Sequence, residues 1–461
     1  MKRHLRRILA SLVLLASSCH REPVVPRGEA ADQTRPAAEW LKEEPIRLLR
    51  DYVRIDTTPA KGEKAGVEFL RDLLDCDGIQ SEIVCPAPGR CNLLARLPGR
   101  TRQGALLLLN HVDVVDAFPS FWKDAPPFEG RIKLGYLYGR GVYDMKSFGI
   151  AQAIALREIR RRGIVPATDI LFLAEADEEI GQKWGSKWLL EHRPEWFEGV
   201  KWVVNEGGTT ELILRSPRFW GIETVQAGFA SAEFESSRET LNALAKAFSR
   251  LQSPAVQPLP EIVSGFDMLA NHLPNPYTDP LRHLDRVSRN PAELAILPDR
   301  YAAFLEARIH WSDLYEHPDS PGRMRGYVTI SVPPGVTPRP YLDPILKAAA
   351  GQDVRVLSVF DSGPTRASRY PSALTDLLQR VTEAHYPGVP FGALPGFGGY
   401  TTSLLFRNRG FETYGYSPFA MNITDAGRRH WNDERIFLRD YLSGVGMFTD
   451  AMLEYAIFGA H

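Results

Sequence analysis

The chain has 461 residues, 44% hydrophobic and 24% charged, which describes a folded protein long enough for two domains and excludes a disordered one. Its 55 Lys and Arg balance 56 Asp and Glu, so no global charge directs it to nucleic acid. Apart from Cys19, only Cys76, Cys85 and Cys91 are present, too few for a disulfide scaffold or a cysteine zinc site.

Residues 1–19 read as an export signal. Lys2, Arg3, Arg6 and Arg7 precede an apolar run from Ile8 to Ala16, shorter than the roughly 20 residues that span a bilayer. Leu15-Ala16-Ser17-Ser18-Cys19 resembles a bacterial lipobox. It predicts a mature chain lipid-anchored at Cys19 to the membrane of the bacterial envelope, facing the periplasm or the exterior. Residues 20–38 are rich in Pro, Ala and charge, as a flexible tether is. Further on, Cys85 and Cys91 flank Pro-Ala-Pro-Gly-Arg, a tight-turn sequence. They can pair in an oxidising compartment or stay as free thiols near the core.

From Trp40 onward helix-like and strand-like segments alternate, which predicts an α/β fold with a mostly parallel sheet flanked by helices. Short apolar runs at 105–109, 169–174 and 200–204 predict buried strands, each followed at once by polar residues. Helices are expected over 148–162, 238–251, 373–385 and 433–456, and a strand over 327–332. The stretch 218–363 differs in character and reads as a smaller inserted α+β lid domain. A catalytic domain would then comprise residues 39–217 and 364–461.

The chemistry-bearing residues stand just past the predicted strands, where ligands bind in open α/β sheets. His111 and Asp113 follow the first strand. In an extended segment they face the same way, so the Asp113 carboxylate is expected to take the imidazole's second N–H. Glycines around Arg140 form a turn that delivers Asp144 just before a helix. Glu178 and Glu179 lie in an acidic cluster after the second strand, where a cation offsets the repulsion of crowded carboxylates. Glu206 ends the third strand, and His430 precedes Asn432-Asp433-Glu434. Taken singly, each is as readily an ordinary loop or capping residue. Together these histidines and carboxylates suit two ions such as zinc, with Asp144 as a shared bridge.

Several motifs occur together and in order: Asn110-His111-Val112-Asp113, Trp122 with Pro127-Phe128-Glu129-Gly130, Gly139-Arg140-Gly141 with Asp144-Met145-Lys146, Asp177-Glu178-Glu179, Asn205-Glu206-Gly207-Gly208, and His430 with Asn432 and Glu434. In them the chain resembles the co-catalytic zinc amidohydrolases that include aminoacylase, glutamate carboxypeptidase and succinyl-diaminopimelate desuccinylase. The resemblance implies a di-zinc exopeptidase-like catalytic domain. One zinc would be held by His111 and Glu206 and the other by Glu179 and His430, with Asp144 bridging; cobalt or manganese are alternative metals. It also implies Glu178 as general base and acid, Asp113 as the group orienting His111, and cleavage of an amide bond in a small peptide or N-acyl amino acid.

The substrate-gripping positions depart from that pattern. The lid His of such enzymes has no counterpart after Gly228, where Phe229-Ala230-Ser231-Ala232 follows. The later strand, Thr329-Ile330-Ser331-Val332-Pro333-Pro334-Gly335, lacks the usual Asp-x-Arg, and Gly398-Gly399-Tyr400-Thr401-Thr402-Ser403-Leu404 replaces Gly-Gly-x-Thr-Asp-Ser-Arg. His272, His283, His310 and His317 are candidate replacement donors, each also readable as an ordinary surface or core histidine. An envelope binding protein that keeps metal without efficient turnover is the competing function, but it leaves Glu178 without a purpose. A structural metalloprotein is disfavoured by the carboxylate-rich set. The sequence carries no signal for an oligomeric state.

Overall fold

The computed structural model describes residues 27–213, 216–250, 256–271, 277–316, 320–396 and 400–460. Cys19, His272, His317, Gly398 and Gly399 lie outside the described residues, as do the whole signal segment and residues 20–26 of the tether. Residues 27–34 of the expected tether are helical.

A nine-stranded sheet organises the larger part of the molecule. Its strands are β1 (Ser81–Ala87), β2 (Arg90–Leu97), β3 (Ala105–His111), β4 (Ile170–Glu175), β5 (Val200–Asn205), β6 (Thr209–Ile213), β7 (Ser216–Gln226), β8 (Phe391–Gly396) and β9 (Glu412–Gly415). They run in the order β1-β2-β4-β3-β5-β9-β7-β8, with β6 paired to β7. The central strands β4, β3, β5 and β9 are mutually parallel, whereas β1, β2 and β6 pair antiparallel with their neighbours. Along β3, Leu106 and Leu108 face one core with Phe172 and Trp202, while Leu107 and Leu109 face another with Leu173 and Phe197. Both faces of the sheet are therefore covered, which is why the run 105–109 is apolar at every position.

Helices α1 (Glu44–Val53), α2 (Lys64–Asp75), α3 (Lys146–Arg161), α4 (Ala373–His385) and α5 (Leu438–Phe458) supply the first of these cores. The helix expected over 433–456 begins later, at Leu438. The carboxylates of Asp433 and Glu434 are taken up by backbone amides of distant loops, and Arg435–Phe437 pairs as a strand with Tyr136–Tyr138. Cys85 and Cys91 form a disulfide across the β1–β2 hairpin, with Cα atoms 4.0 Å apart, and Cys76 is a free exposed thiol.

A second sheet of five strands is built from residues 228–236, 308–311, 315–316, 324–332 and 355–361. It has its own core of Phe234, Leu241, Val328, Ile330, Leu342 and Ile345. The expected cut at 217/218 falls inside β7, a strand of the large sheet. Residues 260–305, read from sequence as part of the insertion, pack through Phe266 and Leu269 against Phe219, Val225 and Leu394 of the large sheet. Periodicity marks an element but not the sheet it joins, so the sequence missed this division.

Candidate active site

His111 is the last residue of β3 and pairs in register with Glu175 of β4, so its ring stands at the carboxyl edge of the parallel strands. The residue is buried, at 2% exposure. Its Nδ1 lies 2.9 Å from the backbone carbonyl of Asp113 and 3.6 Å from that residue's carboxylate. A carbonyl only accepts, so Nδ1 carries the proton and Nε2 faces Asp144 at 3.1 Å and Glu206 at 3.7 Å. The Asp113 carboxylate, 3.6 Å from Nδ1, has a second task as well. It accepts the backbone N–H groups of Glu178 at 3.1 Å and Glu179 at 2.9 Å, fixing the turn that carries both.

Asp144 arrives on the glycine turn. At Gly141, φ is +76° and a Cβ would stand 2.5 Å from Val114, so the turn needs glycine. The two oxygens of Asp144 face two histidines: Oδ1 lies 3.1 Å from His111 Nε2, and Oδ2 lies 3.3 Å from His430 Nε2. His430 Nε2 is also 3.1 Å from Glu179. The structure thus brings all the sequence-predicted ligand residues together, with donor atoms of His111, Glu178 and Glu206, and of His111, Asp144 and Glu179, within 4.8 Å of one another.

The electrostatics of this cluster are those of a cation site. Burial, added to by neighbouring carboxylates, raises the pKa of Glu206 and Glu178 well above the usual range. Asp144 goes the other way: burial would raise it, but His111 and His430 hold it well below. Oε1 of Glu178 is buried with no hydrogen-bond partner among the described residues. Carboxylates and imidazoles crowded in this way fit divalent ions.

Several residues that sequence reading left without a role serve this site. Arg90, beside the disulfide, pairs with buried Glu63 at 2.7 Å and with Asp177 at 3.3 Å. From the same face of β2, Asn92 accepts the amide of Ala176 and donates to the carbonyl of Trp184, both at 2.9 Å. Arg429 lines a cavity beside Tyr143, Asp144, Glu206 and Ser417. Only the tertiary fold joins such distant positions. Of the candidate replacement donors, His283 is exposed and bonded to Asp279 on its own helix, and His310 is exposed on its strand.

Residues 107–454 match the peptidase family M20/M25/M40. A "Probable succinyl-diaminopimelate desuccinylase" of Staphylococcus aureus strain Mu50 is 37% identical over 206 residues, 44% of this chain and 47% of that protein. The match thus spans about half the length of that relative. The human "N-fatty-acyl-amino acid synthase/hydrolase PM20D1" is 25% identical over 95% of this chain and 93% of its own. Among solved structures, the M20 family metallo-carboxypeptidase Sso-CP2 of Sulfolobus solfataricus aligns with TM-score 0.69 at 16% identity, over 90% of this chain and 100% of that one. Human carnosine dipeptidase 1 aligns with TM-score 0.66 at 17% identity, over 91% and 98%. At these identities the structural likenesses establish the fold.

Proposed function

Because the chain belongs to the peptidase family M20/M25/M40, we propose that it is a zinc-dependent hydrolase that cleaves an amide bond in a peptide or N-acyl amino acid. The observation that carries this reading is the carboxylate of Asp144 set between His111 and His430, with the unpartnered Oε1 of Glu178 in the same cluster. His111 and Glu206 would hold one zinc, Glu179 and His430 the other, and Asp144 both. Bound zinc supplies Lewis acidity, polarising the carbonyl and acidifying water.

The protein's own part is proton handling. Glu178 takes a proton from the attacking water and later delivers it to the leaving nitrogen. Asp113 fixes the turn through the amides of Glu178 and Glu179 and orients His111 through its carbonyl. Without the lid His and the Arg clamp at the expected places, simple dipeptides are poor substrates. The name of the human relative, with its N-acyl amino acid, supports an acylated substrate.

The experiment is a panel of dipeptides and N-acyl amino acids offered to purified zinc-loaded protein, with Glu178→Gln as control. Hydrolysis that is lost in Glu178→Gln with metal retained supports the reading. A protein that binds its metals and hydrolyses nothing would be the binding protein instead. We also infer export and lipid anchoring at Cys19; a Cys19→Ala variant that still fractionates wholly with membranes would overturn the anchor.

A further inference from the structure

Amide hydrolysis builds negative charge on the carbonyl oxygen, and a donor aimed at that oxygen is missing from the sequence where a lid His is expected. We propose that the hydroxyl of Tyr400 is that donor, hydrogen-bonding the carbonyl oxygen as it becomes an oxyanion. The inference rests on the reading of Glu178 as the base.

Tyr400 is held to the Glu178 loop by its neighbours. Thr402 donates its hydroxyl to Glu175, the last residue of β4, and accepts a hydrogen bond from Gln182 at the far end of the loop. Thr401 is fixed in turn by Gln226 at 3.0 Å, at the end of β7. The segment carrying Tyr400 is thereby stapled, through the two residues that follow it, to the strand ends that frame the site.

The hydroxyl of Tyr400 is buried, and so is Oε1 of Glu178; neither has a hydrogen-bond partner among the described residues. Buried polar groups are seldom left unpaired, and two in one place mark where a bound molecule completes the set. Tyr400 stands two residues before Thr402, and Glu178 stands three residues past the Glu175 that Thr402 bonds; burial, and then the Glu178 and Glu175 carboxylates, raise the Tyr400 pKa. A phenol keeps its proton at neutral pH and can donate to a carbonyl oxygen, which only accepts. Phe360, from the second sheet, sets its ring edge-on to Tyr400 with centroids 4.8 Å apart. In this chain the second sheet buttresses a donor of the main sheet instead of bringing its own.

The roles then divide without conflict. Glu178 removes the water proton, the new C–O bond forms, and the carbonyl π pair moves to oxygen, where the Tyr400 O–H meets it. When the C–N bond breaks, that pair returns to the carbonyl and the proton on Glu178 passes to nitrogen. Tyr400 transfers no proton at any stage.

Tyr400→Phe deletes the oxygen and keeps the ring on Phe360. For zinc-loaded protein on the best panel substrate, kcat is expected to fall about 10²-fold, the usual effect of losing one oxyanion donor, with KM little changed. Calorimetry with a phosphinate peptide analogue, whose tetrahedral P–O⁻ imitates the oxyanion, should show affinity falling by a similar factor. Binding of the carboxylate product and the thermal midpoint should hold. Unchanged phosphinate affinity overturns the inference, even if no substrate in the panel is turned over. An active Glu178→Gln sinks the base assignment; an inactive Glu178→Gln beside a fully active Tyr400→Phe sinks the Tyr400 inference alone.

Discussion

Glu434 holds the backbone of Asp144: one of its oxygens accepts the amides of Tyr143 at 2.9 Å and Asp144 at 3.2 Å. Its other oxygen accepts Gly141 N at 3.0 Å and Arg140 Nη1 at 2.9 Å. A single buried carboxylate from the C-terminal segment thus shapes the turn that presents the bridging Asp. Glu434→Gln should lower metal affinity and turnover by about 10- to 100-fold, as loss of a ligand-orienting partner does. Glu434→Ala strands the buried Arg140 guanidinium and should cost about 3–5 kcal/mol in chemical denaturation. Wild-type metal affinity in Glu434→Gln would refute the positioning role.

The neighbours Glu178 and Glu179 should behave differently when each is made Gln. Glu178→Gln is expected to keep its metals and lose at least about 10²-fold in turnover, the scale of general acid–base catalysis. Glu179→Gln, which faces His430 at 3.1 Å, should lose metal on dialysis. Metal analysis beside single-turnover rates separates them, and swapped behaviour would reverse the assignment of base and ligand.

Loading the site should release protons. Burial alone would lower the His430 pKa, but the carboxylates of Asp144 and Glu179 outweigh it and push the ring up to about 10. His111 is raised likewise by Asp113 and Asp144 against its burial. Metal-free protein therefore carries protons on both rings at neutral pH, and zinc must displace them. Apparent zinc affinity should rise with pH through the neutral range. The His430 contribution to metal-free stability runs oppositely: it is full below the unfolded pKa of about 6.5 and is lost as pH climbs toward 10. Calorimetric zinc titrations in buffers of different ionisation enthalpy count the protons, and a count of zero at pH 7 would contradict this account.

Arg90 is the cation that faces both Glu63 and Asp177, and Asp177 begins the Glu178–Glu179 turn in a left-handed conformation at φ +61°. Arg90→Met leaves these buried carboxylates uncompensated and should weaken metal retention and turnover together, by about 10- to 100-fold. Arg90→Lys, which keeps the charge, should recover part of the loss. Asp177→Asn in the Arg90→Met background should add little, because both changes release the same tie. Full additivity in that double variant would show that Arg90 acts elsewhere.

The sequence by itself marked the candidate ligand residues and put them just past strand ends, and the structure gathers His111, Asp144, Glu179, Glu206 and His430. The run 105–109 is apolar on both faces and 200–204 is apolar but for Lys201, and the chemistry-bearing residues His111 and Glu206 stand two positions past them. Strand ends in a parallel sheet converge, so one-dimensional order sufficed to expect a shared site. The division of the chain near 217 and the start of the last helix were not legible. Which sheet β7 joins, and which amides claim Asp433 and Glu434, are pairings between residues far apart along the chain. The same holds for the groups that tune the site. Glu434 stands in a motif that carries the family resemblance and Tyr400 in one that departs from it, but neither motif, nor anything local to Arg90, says what these side chains do. Their roles come from burial and from partners that only packing supplies: Phe360 against Tyr400, Asp177 against Arg90, and the Asp144 amide against Glu434.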